Sequence, residues 1–457
     1  MKRMQLSQNS SGIGGVRMSA ARRSGEIVAY AMWILAMSGY VFAATCRSSL
    51  SATGIQAALY FNISSAALSS FVYLQLFVYA IVQIPAGIML DRFGPKRMIA
   101  AGCLLMSVGQ GIMALATATW MAVCARAAVG IGDACIFISV IRLLAAWFPM
   151  RKLPLLNQLT GQIGNLGQII SVYPFVWVMK MAHWQIAFLS LAAIGVLIAF
   201  CVISLLRESP HERESRAMAQ KLRTTGLNWG DVLRNLRSVA RLPGTICGFW
   251  VHSITWFSNT MMNQLWGFPF LLAVEHYSHA QASAYLASGT AMCVIWALMF
   301  GRFSSAHPIH GRIMLVYVTV GAQMLCWTIL LATAGPHPTA VMIALLFSIS
   351  SGMAASSVAF DFAREGCLPK DLGTATALAN IGGFLSSGLV LLGVGQLLDW
   401  QGANSPRLYT SQSMRVAVLV QYPMWIIGLI GFSVMLPKVL ARLRERSLRL
   451  STAELRH

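Results

Sequence analysis

The chain has 457 residues, of which 57% are hydrophobic and only 11% are charged, and its formal net charge is +20. Ordinary globular proteins contain roughly 45–50% apolar and about 25% charged residues, so this composition cannot cover a water-soluble surface. It excludes a soluble enzyme, a disordered protein and a fibrous protein, and it indicates an all-α membrane protein with lipid around most of its side chains.

Twelve apolar stretches have about the 20 residues that a helix needs to cross a bilayer. Six of these predicted crossings lie in the first half, at 27–55, 66–90, 97–117, 119–145, 155–179 and 184–206. The six in the second half lie at 245–274, 281–301, 312–334, 338–360, 372–398 and 415–437. A polar, basic linker over 207–244 separates the two sets. We therefore predict two pseudo-symmetric six-helix bundles, over 27–206 and 245–437, with tails over 1–26 and 438–457.

The positions of the basic residues predict the orientation of the chain. Cytoplasmic loops carry an excess of Lys and Arg. With the N-terminus inside, the tails, the linker and the short inner loops hold 28 of the 34 Lys and Arg residues. We therefore predict an N-in, C-in topology, in which the basic excess marks the membrane surface. A nucleic-acid partner is not expected, because that would need an exposed basic domain.

The stretch over 87–97 carries a specific motif, whose members are Gly87, Asp91, Arg92, Gly94, Lys96 and Arg97. Gly87 lets backbones approach closely, and the Asp91 carboxylate can compensate a helix N-terminus. The motif resembles the signature between helices 2 and 3 of the major facilitator superfamily, and the six-plus-six layout matches as well. The resemblance implies a secondary transporter in which this loop clamps the halves on the cytoplasmic side. The alternative is a basic loop that only sets the topology.

Charges inside a membrane are costly, so they indicate function by default. Four such residues lie well inside predicted crossings: Arg47, Arg126, Asp133 and Arg142. Arg126 and Asp133 share one helix face but are about 10 Å apart along the axis, too far to pair directly. Arg142 points to the opposite face near the cytoplasmic end, where snorkelling or pairing with Asp91 is the favoured interpretation.

The first crossing contains an Arg, and the fourth contains an Arg followed seven residues later by an acid. This pattern resembles that of the organic-anion:proton symporters of the superfamily. The resemblance implies that Arg47 and Arg126 bind the anion and that Asp133 is the proton-coupling residue. In that branch an acid often precedes the first Arg, whereas this chain has Cys46. The alternative is a permanent buried network in which an Arg neutralises Asp133.

Polar and aromatic residues on the other crossings complete the predicted substrate site. In the seventh crossing His252, Trp256, Asn259 and Asn263 follow one helix face. An internal repeat places Asn165, two residues before Gly167, in register with Asn380, and Gln162 lies on the same stretch as Asn165. We predict the following residues as substrate ligands besides the two Arg residues: Gln162, Asn165, His252, Trp256, Asn259, Asn263 and Asn380. The alternative is that these residues only join helices through hydrogen bonds.

The sequence carries no HExxH, GxSxG or P-loop motif, and its nine Cys residues lack metal-ligand spacing. We therefore expect no catalytic residue, metal or cofactor. The predicted function is secondary active transport of a small anionic metabolite, coupled to protons, by a multi-pass monomer in the inner or plasma membrane. Its partners are the substrate, protons and the lipid bilayer. The alternatives are a membrane-embedded transferase-type enzyme and a drug or neutral-solute exporter of the same superfamily.

Overall fold

The computed structural model describes residues 2–50, 53–149, 152–164, 166–209, 229–307, 309–365, 367–368 and 371–454. The predicted ligand Asn165 lies outside these residues, as does half of the predicted linker, 210–228. The helical backbone at Asp91 is described, but its side chain is not.

Every regular element in the described ranges is a helix, as expected where the bilayer offers no partner for backbone groups. The part before residue 210 contains α1 (Lys2–Ser48), α2 (Gly54–Phe61), α3 (Ser65–Leu115), α4 (Thr119–Trp147), α5 (Leu153–Gly164), α6 (Leu166–Val172) and α7 (Pro174–Leu205). Two of these helices are broken internally. Gly94 has φ 79° inside α3, and His183 has φ 64° inside α7.

The second part of the chain begins with α8 (Trp229–Ala240), α9 (Pro243–Met261), a π turn (Met262–Trp266) and α10 (Gly267–Ala273). It continues with α11 (His279–Ala306), α12 (His310–Ala332), α13 (Thr339–Ser356), α14 (Val358–Arg364) and α15 (Leu372–Trp400). Two short 3-10 turns flank α16 (Ser411–Ala417), and α17 (Gln421–Glu454) is the last helix.

Ten helical stretches of the described residues are long and apolar enough to cross a membrane. One of them, Leu159–Leu205, is 47 residues long, about twice one crossing, and contains the break at His183. The predicted seventh crossing, 245–274, is not among the ten, because its Ser, Thr, Asn and His residues lower its hydropathy. An all-helical multi-pass membrane protein is confirmed. The count of twelve crossings, their orientation and the two-bundle division stay predictions.

Helix packing follows the two halves of the sequence. Before residue 210, α3 packs against α4 and α7, and α1 packs against α4 and α6. After residue 229, α9 packs against α15, α14 and α17. The main contact between the two sets joins α3 to α15. Any site between the halves is therefore positioned by these two helices.

The start of α3 is fastened to the end of α15. The Asp399 carboxylate accepts the backbone N–H of Ser65 at 3.0 Å and that of Ala66 at 3.1 Å, so it compensates the unpaired donors of a helix N-terminus. The Ser65 hydroxyl donates to the Ala403 carbonyl at 3.0 Å and lies 2.8 Å from the Tyr409 hydroxyl. Burial raises the pKa of Tyr409 to about 12, so this hydroxyl stays protonated and can donate to Ser65. We name this set the Asp399 contact.

Close backbone approach continues the Asp399 contact along the helices. A Cβ at Gly395 would collide with the Ser69 hydroxyl and the Ser65 carbonyl, so α3 and α15 can meet here only because residue 395 has no side chain. This end of the molecule is therefore closed between the two halves.

The predicted gate motif lies at the opposite end of α3. Its Gly94 adopts the left-handed conformation that glycine tolerates, and a Cβ there would collide with the Glu208 carboxylate. Gly87, Arg92 and Lys96 are half-buried, and Arg97 is exposed. The motif thus lies against the residues that follow α7. Its role as a clamp between the halves stays a prediction.

Replacing Asp399 by Asn should loosen the Asp399 contact, because the amide keeps one acceptor but loses the charge at the helix N-terminus. A loss of about 1–2 kcal/mol from this contact would shift the equilibrium between its closed and open states by a factor of about 5–30. Spin labels at Leu59 and Leu408, both exposed, report the distance between the halves at this end. Pulsed EPR should show a larger population of long distances in the variant.

The matched control is Asp361→Asn. Asp361 pairs with Arg312 at 3.3 Å within the second half, so its removal leaves the contact between halves intact. An unchanged distance distribution in Asp399→Asn, or an equal change in the control, would show that the carboxylate does not hold this end closed.

Candidate functional site

The centre of the candidate site is an ion pair between α1 and α4. Arg47 Nε lies 3.3 Å from Asp133 Oδ2. The Asp133 side chain is 1% exposed and that of Arg47 is 12% exposed, so Arg47 is the more accessible member of the pair. Neither Asp133 oxygen has a hydrogen-bond partner among the described residues. The carboxylate therefore depends on Arg47 for its compensation.

Arg126 is fully buried about two turns from Asp133 on α4 and is engaged with the end of α1. Its guanidinium donates to the Cys46 carbonyl at 3.3 Å, the Ser49 hydroxyl at 3.2 Å and the Arg47 carbonyl at 3.0 Å. The last carbonyls of a helix have no partner within it, and a cation satisfies them well. These contacts position the backbone that carries Arg47. The predicted role of Arg126 as a substrate ligand stays a prediction.

Two tyrosines that were not predicted as site residues lie beside the ion pair. The Tyr40 hydroxyl approaches the Arg47 guanidinium, and the Tyr79 hydroxyl approaches Asn380. The Tyr79 ring stacks on Phe384, with centroids 4.1 Å apart. Tyr79 is on α3, whereas Asn380 and Phe384 are on α15. Their contact therefore joins the two halves beside the ion pair.

The predicted ligands of α9 and of the π turn that follows it divide into two groups. The first continues the aromatic surface: the His252 ring stacks on Trp256 at 5.0 Å, and Trp256 meets Phe384 edge-on at 4.4 Å. Asn380 lies beside His252, but neither ring nitrogen has a hydrogen-bond partner within the described residues. The ring nitrogens of His252 thus lie near Asn380 and the Ser356 backbone, beside the contact between the halves, without a hydrogen bond of good geometry.

The second group lies nearer the Asp399 contact. The Asn263 amide donates to the carbonyl and the side-chain oxygen of Asn259 at 3.1 and 3.2 Å. Both residues line a small cavity together with Tyr285 and Ser350. Asn259 also lies 3.9 Å from the Cys293 sulfur. These amides satisfy one another, which fits interhelical packing as well as ligand binding.

Gln162 on α5 is half-buried, and its side-chain carbonyl has no hydrogen-bond partner in the part of the chain that is described. Its predicted role, like those of His252, Trp256, Asn259, Asn263 and Asn380, stays a prediction. The structure does bring Arg47, Asp133, Tyr79, Asn380 and His252 into one connected surface.

The model for "Major Facilitator Superfamily" matches residues 36–391. That range is well over half of the chain, so the chain belongs to the Major Facilitator Superfamily, a family of membrane transporters. Membership supports the predicted transporter class.

Curated relatives are similar over part of their length. The "Probable sulfoacetate transporter SauU" of Cupriavidus necator is 28% identical over 34% of this chain and 35% of its own length. The "Hexuronate transporter" of Escherichia coli K12 is 26% identical over 36% of this chain and 38% of its own. The "Probable galactarate/D-glucarate transporter GarP" of the same strain is 24% identical over 54% and 60%. The matches thus span about a third to three fifths of these relatives.

Solved structures support the fold over nearly the whole chain. A bacterial homologue of the human lysosomal transporter Spinster, in an inward-facing and unoccupied conformation, has a TM-score of 0.70 at 14% identity, covering 91% of this chain and 98% of that one. A POT family transporter in complex with 5-aminolevulinic acid has a TM-score of 0.65 at 11% identity, covering 90% and 96%.

Replacing Arg126 by Met should destabilise the fold, because three acceptors at the end of α1 lose their donor. Breaking a buried, hydrogen-bonded charge typically costs about 3–5 kcal/mol. We expect a clearly lower Tm, followed by tryptophan fluorescence in detergent. Arg442→Met, at an exposed position of α17, is the control. Equal Tm values for the two variants would contradict the positioning role.

Proposed function

We propose that the protein is a secondary active transporter of a small organic anion, in which Arg47 binds the carboxylate and Asp133 carries the coupled proton. The observation that supports this is the Arg47–Asp133 pair, in which the Arg47 side chain is 12% exposed and the Asp133 side chain 1%. An anion that enters the site meets Arg47 first and competes with Asp133 for the same guanidinium.

Competition for Arg47 supplies the coupling. When the anion takes the guanidinium, Asp133 would be left as a buried, unpaired carboxylate, and such a charge is very unfavourable in a low-dielectric interior. Proton binding removes that charge. Anion and proton therefore bind together, and when the anion leaves, Arg47 returns to Asp133 and the proton is released.

The names of the relatives agree with an anionic substrate. They include transporters of sulfoacetate, hexuronate and galactarate or D-glucarate, all of which are acids. Since each matches only part of its length, these names support the chemical class and no single compound. The same relatives, being bacterial, favour the plasma membrane as the location.

Alternating access requires each end to close in turn. With the proposed N-in orientation, the Asp399 contact lies on the outer side, and the chain adopts a state closed to the outside. The gate motif of Gly87, Asp91, Arg92, Gly94, Lys96 and Arg97 would close the inner side in the other state. We propose that two six-helix bundles of one monomer rock about the site between α3 and α15.

A neutral-solute exporter is the second candidate, because Tyr79, Phe384, Trp256 and His252 form a continuous aromatic cluster, and aromatic side chains commonly line sites for apolar ligands. The two candidates differ in their need for Arg47. Arg47→Gln should abolish organic-anion transport by removing the cation, whereas export of a neutral aromatic dye should survive it.

Transport into proteoliposomes tests the proton role. The probes are labelled D-glucuronate, galactarate and sulfoacetate, each with and without an inwardly directed pH gradient. The parent should accumulate at least one of them more than tenfold above its level without the gradient. Asp133→Asn should lose this gradient-driven accumulation while retaining counterflow exchange, because the amide mimics the protonated acid.

The control is Glu26→Gln, which removes an acid from an exposed pair with Lys152. Accumulation by Asp133→Asn equal to that of the parent would refute the proton role. Failure of every acid, combined with export of a neutral dye, would refute the anion-transport proposal itself.

A further inference from the structure

The charged groups of the candidate site come from one half of the chain only. In the sequence after residue 242, every Lys and Arg lies at a helix end, between helices or in the C-terminal segment: Arg302, Arg312, Arg364, Lys370, Arg407, Arg415, Lys438, Arg442, Arg444, Arg446, Arg449 and Arg456. None lies in the middle of a helix that faces the first half. The surface opposite Arg47 therefore has no permanent positive charge.

The second cation of the first half is not available either. Arg126 is fully buried, and its two terminal nitrogens donate to the Cys46 carbonyl, the Ser49 hydroxyl and the Arg47 carbonyl, whereas its Nε has no hydrogen-bond partner among the described residues. Because the Arg126 side chain is 0% exposed, a substrate carboxylate could reach it only if the end of α1, which carries Arg47, moved away. One accessible cation remains.

The groups of the second half that lie near Tyr79, which interacts with Arg47, are neutral. Asn380 approaches Tyr79, and His252 and Trp256 continue the surface on α9. Amide and phenol groups bond hydroxyls of a substrate, and the unpaired ring nitrogens of His252 do the same. Aromatic faces pack against the C–H groups of a short carbon chain.

We propose that the site selects anions that carry one carboxylate at one end and neutral hydroxyl groups at the other, and that it rejects dicarboxylates of the same length. The second carboxylate of a diacid would lose its hydration against Asn380, Trp256 and His252 with no cation to replace it. This inference rests on the proposed function and names the substrate class of the same site.

D-gluconate and D-glucarate form a matched pair of probes, because they share a six-carbon chain and differ only in a terminal CH₂OH or carboxylate. Binding to the purified protein is measured as the rise in Tm at increasing ligand concentration. We expect gluconate to reach half of its maximal effect at a concentration at least tenfold below that of glucarate. Equal or tighter binding of glucarate would overturn the proposal.

A gain-of-charge variant tests the cause of the selection. Asn380→Lys places a cation opposite Arg47, and the ratio of glucarate to gluconate affinity should rise at least tenfold. Asn380→Gln is the matched control, which alters the side-chain length without adding charge. An unchanged ratio in a folded Asn380→Lys protein would overturn the proposal, and the comparison of the two acids in the parent stands even if the variant does not fold.

His252 is the one imidazole on the facing surface, and protonation would make it a second cation. Phe360, Trp256 and Asn380, which surround its ring, carry no charge. The comparison of acids is therefore repeated in His252→Gln at the same pH. If the variant prefers gluconate as the parent does, the proposal is supported. If only the variant prefers gluconate and the parent does not, the proposal is contradicted for the native chain.

The outcomes separate this inference from the proposed function. If both acids bind equally well, the chain is still an organic-anion transporter, and only the single-carboxylate selection fails. If neither acid raises the Tm and no acid is transported, the proposed function fails, and the selection fails with it.

Discussion

The candidate site depends on one buried interaction, the contact between Arg47 and Asp133. A carboxylate that is 1% exposed persists in its charged form only beside a cation, and Arg47 is the group that supplies it. Arg47 in turn stands at the end of α1, where Arg126 holds the last carbonyls in place. The three charges thus act together. Arg126 positions the end of α1, Asp133 pairs with Arg47 when no substrate is bound, and Arg47 is the group proposed to bind the anion.

The two halves contribute different chemistry to the surface between them. The first half supplies the ionised groups, and the second supplies amides, an imidazole and aromatic rings. Tyr79 on α3 and Phe384 on α15 join the two, because their helices approach closely along the boundary. A substrate between the halves would therefore be recognised by its charge on one side and by its shape and hydroxyl pattern on the other.

Much of this was predictable, because charges in apolar helices are conspicuous. Arg47, Arg126 and Asp133 stand out from composition alone, as does the all-helical membrane class. Which Arg pairs with Asp133 was not predictable: helix spacing relates Arg126 to Asp133, but only the packing of α1 on α4 brings Arg47 to it. Tyr79 and Phe384 gave no signal, since aromatic residues are common in membrane helices. Asp399 resembled an ordinary acid at a helix end, because its partners lie more than 330 positions away.

The π turn at Met262–Trp266 has a mechanical consequence for the helix that carries His252. It precedes Pro269, whose missing N–H already leaves one carbonyl of the preceding turn without a donor. A π turn accommodates one extra residue. A return to regular α geometry would therefore rotate the part of the helix before the turn by about 100° relative to the part after it. Trp266, anchored to the Leu391 carbonyl at 2.9 Å, would stay in place. The His252 imidazole would then change its direction relative to Trp266.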